Sequence, residues 1–311
     1  MVDLLSPGAK RLAMSLVGSH DRVLVLGAGG WFGRTALDLV SGTGARVHAI
    51  ASSARMLHVG GIERPTAVWN EDDVRAFSPT IVIDCAFLTH DRVKDLPLET
   101  FVAVNRGLIE NLTYAARLPA TRTVVTISSG AGVYQGDALD SPLDANPYGY
   151  LKRESEERLR EAVDGSEAAA VIARAWSVSG AYPRDPRAYA LGDMIAQAQE
   201  GSIRINARSE VWRRYSTADE LLALSLAVGS PGVTTIDSGG PLVEMSDLAE
   251  AVRAAINPAA SISRGPVAGA ANRYHSDGTE WERARDEHGL ETLPLAEQIL
   301  LTARGMADPN V

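Results

Sequence analysis

A chain of 311 residues with 45% hydrophobic and 22% charged side chains can bury a large core, and it lacks the bias of disordered or fibrous sequences. Thirty basic against thirty-nine acidic residues leave a net charge of -9, which offers no general attraction to nucleic acid or anionic membranes. The single cysteine, Cys85, sits in the apolar run 81–86 and reads as an inert core residue of a reducing compartment; with no run of roughly 18 apolar residues and Asp3 ahead of any apolar stretch, a cytoplasmic protein is expected.

In chain order, residues 6–18 predict a short helix packed as an extra lid, with Ser6 as its cap, Pro7 in the first turn and Ala9, Leu12, Ala13, Leu16 and Val17 at helical spacing. The run 22–26 is apolar after Arg22, the pattern of a parallel strand covered on both faces. It leads into Gly27-Ala28-Gly29-Gly30-Trp31-Phe32-Gly33, and a helix is predicted over 35–40. Glycines in such a turn let the backbone approach a pyrophosphate at the positive end of the helix, although a ligand-free tight turn would use them too. The spacing of Gly27, Gly30 and Gly33 is G-x-x-G-x-x-G, not the G-x-G-x-x-G of the commonest dinucleotide fingerprint.

Further strands are predicted at 46–51, 81–86, 123–127 and 169–174, with helices over 101–117 and 148–163 between them. This alternation gives the fold class: α/β, a doubly wound parallel sheet. The second strand ends in Ser52, Ser53 and Arg55 with no acid to hold a ribose 2'-hydroxyl, so of the two NAD(P) cofactors NADP is slightly favoured, unless Arg55 caps the next helix or faces solvent. From about 177, Pro183, Pro186, Gly201, Pro231, Gly239, Gly240 and Pro241 break the pattern into shorter elements. Residues 1–176 are therefore expected to form the dinucleotide-binding domain and 177–311 mostly a smaller α/β substrate domain, with about 211–237 returning to the first.

Asn146-Pro147 suits a cap and first turn, so Tyr148 opens a helix and Lys152 lies on the same face one turn on. A phenol, with an ordinary pKa near 10, is drawn toward phenolate by a nearby ammonium and can then serve as acid or base. The run 124–130 reads as a buried strand ending in Ser128, Ser129 and Gly130. Because side chains alternate, one of the two hydroxyls should face a site at the carboxyl end of the sheet; Ser129 is favoured, and closing the strand end is the competing role. The six histidines are scattered, so no metal site is expected. Trp176, Tyr182, Tyr189 and Trp212 fall where a base or sugar could stack or where a domain junction could bury them.

Together these motifs resemble the extended short-chain dehydrogenase/reductase family, the NAD(P)-dependent epimerase/dehydratase group acting chiefly on nucleotide sugars, almost from end to end. The loop Gly27 to Gly33 looks like the family's phosphate-binding turn, Ile83-Asp84-Cys85-Ala86 the strand beneath the adenosine half, and Asn105, Asn111 and Leu112 its central helix. Ser128 to Tyr134 is similar to the serine strand, Tyr148 to Lys152 to the catalytic motif, and Arg174 to Gly180 to the strand leading into the substrate domain. Arg213-Arg214-Tyr215 with Asp219 is similar to the segment whose arginine holds the substrate pyrophosphate.

The resemblance implies a Rossmann sheet, Tyr148 as proton carrier, Lys152 holding the nicotinamide ribose, and Ser129 or Ser128 orienting the reacting oxygen. It further implies cofactor contacts from Gly27, Gly30, Trp31, Phe32, Gly33, Ser52, Arg55, Ala86 and Asn105, and substrate contacts from Arg213 and Tyr134. The position that bears the catalytic hydroxyl in many members is Gly130 here, and Ala131-Gly132 stand where 4,6-dehydratases place Asp-Glu. Dehydration is therefore disfavoured, leaving epimerisation or net redox. The alternatives are a catalytically weak NAD(P)-sensing regulator and a reductase of a non-nucleotide alcohol or ketone. A homodimer pairing the helices over 101–117 and 148–163 is expected.

Overall fold

The computed structural model describes residues 3–133 and 142–308. The first half contains α1 (Pro7–Leu16), β1 (Arg22–Leu26), α2 (Trp31–Leu39), β2 (Arg46–Ile50), β3 (Arg55–Val59), β4 (Ile62–Thr66), α3 (Glu71–Phe77), β5 (Ile81–Asp84), α4 (Leu98–Ala116), β6 (Thr123–Ser129), α5 (Pro147–Val163) and β7 (Ala169–Ala175). The second contains β8 (Val178–Ser179), α6 (Ala190–Gln199), β9 (Ser202–Ile205), β10 (Val211–Arg214), β11 (Ser216–Thr217), α7 (Ala218–Ala227), β12 (Gly232–Asp237), β13 (Leu242–Glu244), α8 (Met245–Ile256), β14 (Ser261–Arg264), β15 (Asn272–Arg273), α9 (Thr279–Glu287) and α10 (Leu295–Ala307).

Strands rich in Val and Ile, apolar on both faces, need helices above and below them. They form a six-stranded sheet in the order β12-β7-β6-β5-β1-β2, with every pairing parallel. Alternation splits its side chains between two cores. Val23, Val25, Ile83, Val125 and Val171 pack with α1, α2 and α7, while Leu24, Leu26, Val82, Val124 and Ile172 pack with Leu112 of α4 and Leu159 of α5. A third cluster, including Leu191, Ile195, Ile203, Leu248, Val252 and Ile299, joins α6, β9, α8 and α10. The Rossmann sheet expected from the sequence is present, and β12, from the latter part of the chain, forms its edge. No helix among the described residues is long and apolar enough to cross a membrane.

Two local expectations are revised. No helix follows Arg55: β3 and β4 form an antiparallel hairpin around Gly60 and Gly61, both at positive φ. The signal was the pair of glycines between alternating runs in which Leu57 and Val59 are buried. At α1, Ser6 makes no side-chain cap; its backbone N–H donates to Asp219 Oδ2 at 2.6 Å instead, tying the helix to α7.

Asp219 is fully buried, and desolvation pushes its carboxyl up to about 6; its neighbour Glu220 is pushed up to about 7 by desolvation and by Asp219. A folded-state pKa above the unfolded one means that the native protein holds more protons between about pH 4 and 6, so this contribution to stability is present at acid pH and lost as pH rises through 6. Denaturant melts at pH 5 and pH 8 should show Asp219→Asn flattening that decline by on the order of 1–1.5 kcal/mol relative to wild type, the part of the linkage that falls inside this window. Equal slopes in the two proteins would contradict it.

Candidate active site

The loop after β1 is built to bring backbone close to a ligand. Gly27 has φ +74°, and a Cβ there would meet the backbone of Cys85 and Ala86 at 2.6 Å; a Cβ on Gly33 would lie 2.1 Å from the Gly27 carbonyl. The loop is thus pressed onto the end of β5 on one side and onto the first turn of α2 on the other. Gly30 is the N-cap of α2, no side chain caps it, and the first turn carries no acid, so the helix N-terminus is left to an anion. Trp31 and Phe32 open the helix, and Trp31 meets the ring of Tyr189 edge-on at 5.0 Å. These features fit the pyrophosphate of a dinucleotide.

Beside the loop stand Ser52 and Arg55, both exposed. An Arg55 guanidinium nitrogen lies 2.6 Å from where a Gly29 Cβ would sit, so only glycine leaves it that place. Arg34, in the first turn of α2, has its pKa lowered by burial and by the nearby guanidinium groups of Arg55 and Arg184.

At the carboxyl end of β5, Asp84 accepts from Thr126 Oγ1 at 2.8 Å and from the Ala86 N–H at 3.1 Å, and desolvation pushes its carboxyl up to about 6. The Cys85 thiol is pushed well up by burial and by the Asp84 charge, which leaves it unreactive. Asn105 of α4 is fully buried and ties down the following loop: its Oδ1 accepts from the Leu88 N–H at 2.8 Å and its Nδ2 donates to the Phe101 carbonyl at 3.1 Å. Asn105 thereby shapes the floor beneath the site.

Asn146 Oδ1 accepts from the Gly149 N–H at 3.0 Å, so α5 starts where the sequence predicts and carries Tyr148 and Lys152 on one face. Lys152 is buried; Nζ donates to the Ile127 carbonyl at 2.7 Å, lies 3.8 Å from the Phe87 ring centroid and 6.0 Å from that of Tyr148. Burial lowers its pKa to about 8, opposed by the Asp84 carboxylate, so an ammonium is retained at neutral pH. The half-buried Tyr148 packs edge-on against Phe87 at 5.8 Å and against His90 at 6.1 Å. Phenol and ammonium therefore share one aromatic wall, which sequence reasoning did not find because Phe87 lies 61 positions from Tyr148.

The two serines have different partners. Ser128 Oγ donates to Glu156 Oε1 at 2.6 Å, and Glu156 takes the Arg174 guanidinium through both oxygens, at 2.9 and 2.6 Å. Ser129 Oγ accepts from the Ala131 N–H at 3.2 Å, a bond that leaves its proton to donate. The next position, Gly130, is glycine for a steric reason: a Cβ would fall 2.3 Å from a ring carbon of Trp176. Arg213 is further out, donating to Trp212 O and Asn272 Oδ1, each at 2.8 Å, and lying 5.4 Å from the centroid of Tyr274. Tyr134 lies outside the described residues. Trp176 stood among the aromatics placed where a base or sugar could stack; Glu156, Asp237 and Tyr274 were not singled out, and of these Glu156 carried a hint, one helical turn beyond Lys152.

The sequence of residues 23–231 matches the family model described as NAD dependent epimerase/dehydratase family. No curated protein matches significantly. Solved structures do. UDP-glucose 4-epimerase from Brucella ovis in complex with NAD superposes with a TM-score of 0.72 at 18% identity, covering 91% of this chain and 98% of that one. An epimerase from Methanothermobacter thermautotrophicus gives 0.70 at 20% identity, covering 96% and 95%. TunA, an NAD-dependent NDP-hexosamine 5,6-dehydratase of tunicamycin biosynthesis, gives 0.70 at 18%, covering 93% and 99%. At these identities the structures establish a shared fold, and the matched residues establish the family. The chain belongs to the NAD-dependent epimerase/dehydratase family and is an enzyme of the short-chain dehydrogenase/reductase type.

Proposed function

We propose that the protein moves hydrogen at a carbinol or keto carbon of a nucleotide-activated sugar, as an epimerase or an oxidoreductase, with Tyr148 as general acid and base. The observation that carries this reading is Tyr148 and Lys152 on one face of α5, with the ammonium 6.0 Å from the phenol ring and anchored on the carbonyl of Ile127 in the serine strand. The cofactor's phosphates would lie on Gly27, Gly30 and Gly33 and the N–H groups of Trp31 and Phe32, its adenosine half near Ala86, and its nicotinamide ribose at Lys152, over the floor that Asn105 fastens. A bound nicotinamide supplies the carrier of the two-electron change. Tyr148 takes the proton of the sugar hydroxyl on oxidation and returns it on reduction; Lys152, charged below about pH 8, favours its phenolate. Of the two hydroxyls, Ser129 suits orientation of the reacting oxygen, because the proton of Ser128 is given to Glu156. Ala131 and Gly132 hold no titratable group beside the serines, which supports epimerisation or redox over 4,6-elimination.

NADP is the favoured cofactor of this reading. Arg34, in the helix that follows the glycine loop, feels the positive charges of both Arg55, which lies against Gly29, and Arg184, a repulsion that a 2'-phosphate would relieve. Arg213 is read as a ligand of the substrate pyrophosphate, and Tyr134 as a substrate contact. A homodimer through α4 and α5 is supported by Leu98 and Val104, exposed on α4. The test is an assay of purified protein with NAD or NADP and a panel of UDP-sugars, following absorbance and sugar products. Epimerised or oxidised sugar is expected, and Arg55→Ala should weaken NADP about tenfold with little change for NAD. Tight cofactor binding with no conversion of any sugar would favour the regulatory alternative and overturn the reading.

A further inference from the structure

Three adjacent strands, β6, β7 and β12, end side by side, and each contributes to one cluster. β6 runs into Gly130, β7 is followed by Trp176, and Asp237 closes β12. The indole ring fills the space above Gly130: a Cβ there would meet three ring carbons at 2.3, 2.4 and 2.8 Å. Its N–H donates to Asp237 Oδ1 at 2.5 Å, and its backbone N–H donates to Ser238 Oγ at 2.9 Å. Tyr274 packs on it at 5.0 Å, with Arg213 in turn over Tyr274. The Gly130–Gly132 turn also abuts α5, since a Cβ on Gly132 would lie 3.7 Å from Lys152 Cβ. The ring is half-buried and held from several sides, next to the turn that leads from the serines to the Tyr148–Lys152 helix.

With its only N–H taken by Asp237, this ring can offer carbon and C–H but no hydrogen bond. We propose that Trp176, latched by Asp237, is the specificity-determining wall at the reacting end of the sugar, and that it selects a substrate presenting a deoxy or otherwise apolar group there. The proposal rests on the nucleotide-sugar reading above. A hydroxyl set against the ring would surrender its bonds to water without replacement, whereas a methyl or methylene group would not. Asp237 acts through Trp176, as a positioning residue.

The experiment is calorimetric titration of the cofactor-loaded protein with UDP, UDP-glucose, UDP-4-deoxyglucose and UDP-6-deoxyglucose. Wild type is expected to bind one of the deoxy analogues about fivefold or more tighter than UDP-glucose. Trp176→Ala should abolish that preference while the Kd for UDP alone changes less than about twofold. Asp237→Ala should act in the same direction, and Asp237→Asn, which keeps an Oδ1 acceptor for the indole, should spare the preference. If Trp176→Ala fails to fold, Trp176→Phe, which shortens the wall and loses the latch, should still reduce the preference. A wild type that favours UDP-glucose over both analogues, or a preference that survives these substitutions, overturns the inference and leaves the function standing. Absence of binding by UDP and all three UDP-sugars overturns both.

Discussion

Tyr148→Phe should lower kcat by about 10²–10⁴-fold with the Kd for cofactor unchanged within about twofold, because on the proposed mechanism the substitution removes the proton carrier and nothing else. The ring that packs against Phe87 and His90 is retained, so the helix and its neighbours keep their places. Lys152→Ala should differ in kind. It deletes a buried ammonium that bonds the Ile127 carbonyl and that the proposed mechanism sets against the cofactor ribose, so on that reading cofactor affinity and kcat should fall together. The pH profile carries a further check. The proposed mechanism needs Lys152 in its charged form, and its pKa is lowered to about 8, so activity should fall as pH rises through 8. Its stability contribution runs the opposite way: between about 8 and 10.5 the unfolded chain binds the extra proton, so the folded state gains as pH rises across that window. Stopped-flow single turnovers and equilibrium titration of cofactor separate these effects. Full turnover by Tyr148→Phe would remove Tyr148 from the chemistry.

The central sheet was legible because its signals are local. Apolar runs such as 22–26 and 81–84 carry their strand character in a few consecutive residues, and Asn146-Pro147 marks the start of α5 without reference to anything distant. Tyr148 and Lys152 were legible for the same reason, since helical spacing alone puts them on one face. What escaped depends on contacts between segments far apart in the chain. Gly130 in place of a hydroxyl reads as a loss when only the sequence is considered; in three dimensions it is the complement of Trp176, 46 positions later, and of the carboxylate that fixes the indole. Alternation along β6 tipped the choice between Ser128 and Ser129 toward Ser129 without giving the reason. The choice turns on Glu156, a carboxylate in the charged segment Arg153-Glu154-Ser155-Glu156-Glu157-Arg158, where its place one helical turn beyond Lys152 is all that marks the buried acid among its neighbours. The β3–β4 hairpin was missed because it follows a strand where a helix would continue the α/β alternation.

Glu156 also marks the position where one substitution should cost the fold most. Its carboxylate is 5% exposed and receives three hydrogen bonds, one from Ser128 and two from Arg174, whose side chain is itself only 17% exposed. Glu156 raises the pKa of Arg174, but a guanidinium is intrinsically basic enough to stay charged without that partner. Glu156→Ala would leave that half-buried charge without its hydrogen-bonded counterion, with Asp237 acting on it only through the field, and the Ser128 hydroxyl without its acceptor, a combination expected to cost about 3–5 kcal/mol. For a chain of this size that corresponds to a fall in Tm of about 5–8 °C. Glu156→Gln, which keeps an acceptor oxygen for one of the bonds, should cost less. Removing both charges, with Glu156→Gln and Arg174→Met in one protein, should recover much of the loss, since an uncompensated charge costs more than an absent pair. Calorimetric melts of Glu156→Gln, Arg174→Met and the double variant give the coupling energy directly. If Glu156→Ala melts with wild type, the ion pair contributes nothing to holding β6 and β7 against α5, and the alignment of Ser129 with Lys152 must come from backbone packing alone.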